Sequence, residues 1–99
     1  MVMTQQYLVG ELSLLLAQLQ TAAGDPAFAH AATGLRRKAE SCPLAVLPSI
    51  IVRALELTND LCWSSLARGD TAAFARQAEL SAELREFGVC SSMLDDAPR

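Results

Sequence analysis

Histidine, lysine and tryptophan each occur once in 99 residues, and none of the three cysteines, Cys42, Cys62 and Cys90, stands in a C-x-x-C pair. Zinc ribbons and thioredoxin-type redox centres need that close pairing of thiols, so neither reading survives. Aromatic residues make up only 5% and β-branched residues are sparse, which disfavours a sheet. No apolar run exceeds the four residues of Leu14–Ala17, far short of the ~20 that a membrane-crossing helix needs. Met1–Gly10 has no lysine or arginine and Glu11 would interrupt an apolar stretch, so a secretory signal is not readable and a cytoplasmic location is expected. Charge is thin in both signs, with Lys+Arg 8 against Asp+Glu 11 and a net charge of -3. That argues against binding nucleic acid through bulk positive charge.

What the sequence does have is apolar residues, 52% against 19% charged. Such a balance excludes a disordered tail, and one small domain of this length can bury roughly two-thirds of its unfolded surface. Much of the apolar fraction is Ala and Leu, both strong helix formers. Basic residues are seven Arg to one Lys, which fits a GC-rich coding bias and is silent on function.

Glycine and proline mark the breaks. Gly24-Asp25-Pro26 reads as helix stop, N-cap and first helical residue, and Gly69-Asp70-Thr71 reads the same way without the proline. That turn accounts for the adhesion-like tripeptide Arg68-Gly69-Asp70. Pro43 and Pro48 bracket a third break, with either able to open the next helix. Gly88, followed by the apolar Val89, is placed as a helix-ending cap. Four helices are predicted, at about Gln5–Ala23, Pro26–Ser41, Pro48–Arg68 and Thr71–Phe87. Two very short connections favour antiparallel pairs. The expected fold is therefore all-α, an antiparallel four-helix bundle made of two helical hairpins. It would form one domain over residues 1–94 with a flexible tail at 95–99. The two halves match in outline at an offset near 45 residues, with Phe28 and Phe74 alike in position, but too poorly residue by residue to show a duplication.

On helical wheels the first helix carries Leu8, Leu12, Leu15, Leu19 and Ala22 along one stripe, widened by Val9, Leu16 and Ala23. The second carries Phe28, Ala32, Leu35, Ala39 and Cys42. The fourth carries Ala73, Leu80, Leu84 and Phe87, with Gln77 interrupting. The third helix is different. Its polar arc (Ser49, Arg53, Glu56, Asp60, Ser64) is narrow, and Ile50, Ile51, Leu55, Leu57, Leu61, Cys62 and Leu66 cover the rest. A helix apolar over more than half its circumference needs cover on several sides, from its own bundle or from a second chain.

Candidate chemistry is weak. His30 has no carboxylate one turn away and faces solvent on the wheel, so no acid–base pair is readable. No metal-ligand spacing, catalytic set or cofactor motif is present. Glu79, Glu83 and Glu86 share one outward face of the fourth helix, without the inward Glu-x-x-His motifs of a di-metal bundle. Arg36, Arg37 and Lys38 form the one basic cluster, a candidate docking point for an acidic partner or phosphate, with Arg36 and Glu40 spaced for a helical ion pair. Cys42 and Cys90 are expected at the same end of the bundle and could form a thiol pair.

Association signals are stronger. Tyr7, Gly10, Leu14 and Ala17 make a second seam on the first helix. Trp63, with Asn59 one turn earlier, stands at the border of the third helix's polar and apolar arcs, where an indole either packs inward or anchors an interface. The expected function is a non-enzymatic protein-interaction module, a homodimer or a small adaptor. The alternative is a bundle with an internal apolar pocket that senses a small hydrophobic ligand. The expected partner is a second copy or another protein, with neither nucleic acid nor membrane.

Overall fold

A computed structural model describes residues 5–91. Among the described residues there are four α-helices and no strand. They are α1 (Gln5–Ala22), α2 (Pro26–Ser41), α3 (Leu47–Ala67) and α4 (Thr71–Cys90), with one 3-10 turn, Leu44–Val46, ahead of α3. The expected tail at 95–99 lies outside the described residues, as does the expected domain limit at 94.

Two junctions are built alike. Gly24 and Gly69 take φ of 68° and 73°, a left-handed conformation that a Cβ would disfavour. Each is followed by an aspartate that caps the next helix. The Asp25 carboxylate accepts from the Ala27 N–H at 2.8 Å, and that of Asp70 from the Ala73 N–H at 3.1 Å. Each such cap contributes about 1 kcal/mol to helix formation. Pro26 opens α2, where its missing N–H leaves no hydrogen bond unmade.

The other two breaks differ from the sequence reading. Pro43 and Pro48 both take part. The Pro43 carbonyl accepts from the Val46 N–H at 3.0 Å to form the 3-10 turn. Pro48 sits in the first turn of α3, which starts one residue earlier at Leu47. Gly88 does not end α4. The helix runs through it, buried, to Cys90. A glycine inside a helix weakens it by up to ~1 kcal/mol but does not stop it. The end is set at Ser91, whose N–H and hydroxyl both donate to the Phe87 carbonyl, at 3.0 and 2.7 Å.

α1 packs against α2 and α4, and α3 packs against the same two helices. α1 and α3 meet lightly across the middle. These neighbour contacts fit a bundle. The core takes Leu8, Leu12, Leu16, Leu19 and Ala23 from the first helix and its exit, Ala32 and Ala39 from α2, Leu47, Ile50, Ile51, Ala54 and Leu61 from α3, and Leu80 and Leu84 from α4. Each fully buried leucine or isoleucine contributes roughly 1.5–3 kcal/mol of transfer free energy. The buried stripe of α1 falls within the predicted one and its widening: Leu8, Leu12, Leu16, Leu19 and Ala23 are buried, and Val9, Leu15 and Ala22 pack half-buried beside them.

Three polar residues, Thr58, Ser65 and Gln77, are also wholly buried. Gln77 does not interrupt the apolar line of α4; it lies on it. Its Oε1 accepts from the Ser65 hydroxyl at 2.7 Å, and its Nε2 donates to the Ala22 carbonyl at 2.9 Å. One amide thus ties α4 to α3 and to the last turn of α1. The Thr58 hydroxyl donates to the Ala54 carbonyl at 2.6 Å. Every buried side-chain polar atom among the described residues has a partner, so the polar interior avoids the ~1–3 kcal/mol cost of an unmade bond. No described helix is long and apolar enough to cross a membrane.

Candidate functional site

Placing the helices in a ring leaves a groove between each adjacent pair, and the grooves differ in chemistry. Gly10, Leu14 and Ala17 line the α1/α2 groove together with Arg36 and Glu40. The α1/α4 groove holds Tyr7, Leu15 and Phe87 among Glu11, Glu83 and Glu86. Lys38, Arg53, Glu56 and Asp60 surround Leu35 and Leu57 in the α2/α3 groove. In the α3/α4 groove, Cys62, Trp63, Leu66 and Phe74 lie with Asn59, Ala78 and Ser81, and no lining residue is charged.

The local sequence explains that last groove. On α3 the core face is set by Leu47, Ile50, Ile51, Ala54, Thr58, Leu61 and Ser65. A helix has only so much circumference to turn inward, so its remaining apolar residues are left outside or at the margin. Leu55, Leu57 and Cys62 are half-buried, while Val52, Trp63 and Leu66 are exposed. Across the groove, Phe74 and Ala78 stand one turn apart on α4 and Ser81 one turn further on. Trp63 is the most exposed large apolar residue of the described chain, at 65%. Its indole is not held by the core, and the interior reading of this residue fails.

The six residues expected to make a contact surface are divided among three grooves. Asn59 and Trp63 share the α3/α4 groove. Gly10, Leu14 and Ala17 share the α1/α2 groove, on the opposite side of the ring, and Tyr7 lies in the α1/α4 groove. What the sequence reading missed is the ring of side chains that completes the surface around Trp63, namely Cys62, Leu66, Phe74 and Ala78. The wheel counts Leu66 and Cys62 with the apolar part of α3 that needs cover, and Phe74 matches Phe28 only as a residue near a helix start. A usable signal was present, since Asn59, Trp63 and Leu66 repeat at i, i+4 and i+7, a second helical stripe beside the core one.

The remaining candidates are dispersed. Arg36, Arg37 and Lys38 point different ways. Arg36 reaches to α1, its Nε donating to the Ser13 hydroxyl at 3.1 Å. Arg37 is exposed, and Lys38 lies in the α2/α3 groove. The expected pairing of Arg36 with Glu40 is replaced by this bond. The two ion pairs among the described residues are Arg53–Glu56 at 3.7 Å and Arg76–Glu79 at 3.5 Å. His30 is exposed, and the described residues contain no group of three His, Cys, Asp or Glu side chains that could hold a metal ion.

The cysteines form no disulfide. The Cys42 thiol donates to the Ala39 carbonyl at 3.8 Å, and Cys90 is exposed beside Tyr7 and Phe87. Burial pushes the Cys62 thiol above its ordinary value. It is therefore neutral at physiological pH and a poor nucleophile, which makes it part of an apolar wall. Chemically, the α3/α4 groove offers a desolvatable aromatic and aliphatic surface with one amide and one hydroxyl. Comparison of the chain with protein-family models, with curated proteins and with solved structures finds no match.

Proposed function

We propose that this chain is an antiparallel bundle of two helical hairpins that serves in the cytoplasm as a non-enzymatic protein-interaction module, making its contact through the α3/α4 groove. One observation carries the reading. Trp63, which is exposed, is flanked by Leu66 and Phe74 in a groove lined by no charged residue. Contiguous exposed apolar surface of this kind marks interaction sites, and tryptophan is among the residues most often found at their energetic centre. The antiparallel pairing is supported by the order of the cross-helix neighbours. Gln18 of α1 meets Arg76 and Ala22 meets Gln77, while Tyr7, nearer the start, shares a groove with Cys90 and Ser91.

A residue kept for a contact contributes little to its own fold. Trp63→Ala, melted at low micromolar concentration by circular dichroism, is expected to shift Tm by less than about 5 °C. A loss above about 10 °C that does not change on dilution would place the indole in the fold and end this reading. Melting that rises with protein concentration supports association. Melting that rises only with an added hydrophobic ligand favours the ligand-sensing alternative.

A further inference from the structure

We infer that the occupant of this surface is a second copy of the chain, with α3 packed against its own copy across a two-fold axis at Asn59. The inference rests on the interaction reading above and names the partner. Its first support is a symmetry in the sequence of α3. Counting from Asn59, apolar residues fall at −7 (Val52), +4 (Trp63) and +7 (Leu66), all exposed, and at −4 (Leu55), which is half-buried. A two-fold axis perpendicular to a helix sets residue 59−k of one copy against residue 59+k of the other, because such an interface is self-complementary. Val52 then meets the other copy's Leu66, and Leu55 meets its Trp63. All five positions lie within about 40° of one line on the helix, so they can touch one straight partner at once.

The residue on the axis is the second support. A group on a two-fold axis meets its own copy, so a carboxylate or an ammonium there would face a like charge. An asparagine amide carries both a donor and an acceptor, and two of them can bond to each other. A lone asparagine in an apolar helix seam is a known device for fixing register. The α3/α4 groove is the one of the four grooves described with no charged lining residue. Arg53 and Glu56 pair with each other at 3.7 Å and, with Asp60, line the α2/α3 groove.

Area is the third support. Trp63, Leu66, Val52 and Phe74 are 65%, 49%, 45% and 36% exposed. With a buried aromatic worth roughly 150–250 Å² and an aliphatic side chain somewhat less, these four leave roughly 400 Å² of apolar surface bare. A specific interface takes about 800 Å² per partner, of which about 56–65% is apolar. The four side chains nearly fill that apolar share, and Leu55, Cys62 and Ala78 lie beside them to complete it.

The test is size-exclusion chromatography with light scattering over a concentration series on the full chain, with two sets of variants. The wild type is expected to be a dimer that dissociates on dilution. Trp63→Glu is expected to raise its dissociation constant at least about 30-fold with unchanged helicity, and Leu14→Glu, on the opposite groove, to leave it unchanged. The second set reads orientation without weakening the fold. In a Cys42→Ser, Cys62→Ser, Cys90→Ser background, Val52→Cys and Leu66→Cys chains are expected to form a disulfide with each other when mixed, and neither to cross-link alone. Self-linking of Val52→Cys would overturn the axis. Dissociation by Leu14→Glu but not by Trp63→Glu would move the contact to the other groove. A wild type that stays monomeric to about 1 mM, weaker than a specific contact, would overturn the second copy as partner. The interaction reading would still stand or fall on the melting of Trp63→Ala.

Discussion

The α1–α2 pair and the α3–α4 pair begin from the same turn and both leave large apolar residues exposed, Tyr7 and Leu14 on the first, but they differ in what they bury. Both turn on a left-handed glycine followed by a capping aspartate. In α1–α2 the fully buried residues are all apolar. In α3–α4 the buried set includes Thr58, Ser65 and Gln77, while Val52, Trp63, Leu66 and Phe74 stand outside. The second pair thus has polar groups inside and large apolar groups outside, within reach of one another along the same helices. Folding alone gives no reason for that exchange, because burying Leu66 in place of Ser65 would yield more transfer free energy. The difference teaches that the α3–α4 pair locks part of its interior with hydrogen bonds while large side chains stay at its surface.

Three sets of variants break or sharpen this contrast. The largest effect is expected from the two faces of α3. Leu61→Ala removes a wholly buried side chain and is expected to cost about 2–5 kcal/mol in denaturant unfolding. Leu66→Ala, half exposed, should cost under about 1 kcal/mol in dilute protein. Equal losses at the two sites would show that the outer face belongs to the core. Next is Gln77→Leu, expected to cost about 1–3 kcal/mol because it strands the Ser65 hydroxyl and the Ala22 carbonyl. A stabilised Gln77→Leu protein would mean that the polar interior is not held by its hydrogen bonds. The smallest effect tests the shared part. Gly24→Ala and Gly69→Ala each force a Cβ into the left-handed region at positions with open space around them, so both are expected to destabilise by about 1–2 kcal/mol. A marked inequality would show that the two junctions are alike in backbone only.

Much of the fold was legible because helix ends are written in local chemistry. Gly24, Asp25 and Pro26 mark the start of α2 at the residue where it begins. Gly88 misled because a glycine near a helix end carries the same signature whether it caps or merely passes, and only Ser91's hydrogen bonds decide. Gln77 reads as a fault in an apolar line so long as its partners are unknown. Its Ser65 contact belongs to α3 and its Ala22 contact to α1, and spacing within one helix cannot supply either. The site was half legible. The wheel put Trp63 on a border, but which side of that border water occupies depends on where α4 rests. That placement also turned Phe74 and Ala78 into its neighbours.

Gln77 also has a bearing on the order in which the molecule can be completed. The carbonyl that it serves, Ala22, lies 55 residues earlier. As the chain leaves the ribosome, α1 and α2 emerge before the helix that carries this amide. The closing turn of α1 has no amide to bond until the last helix has been made. Domains fold as units during synthesis, and here α1 is finished by α4.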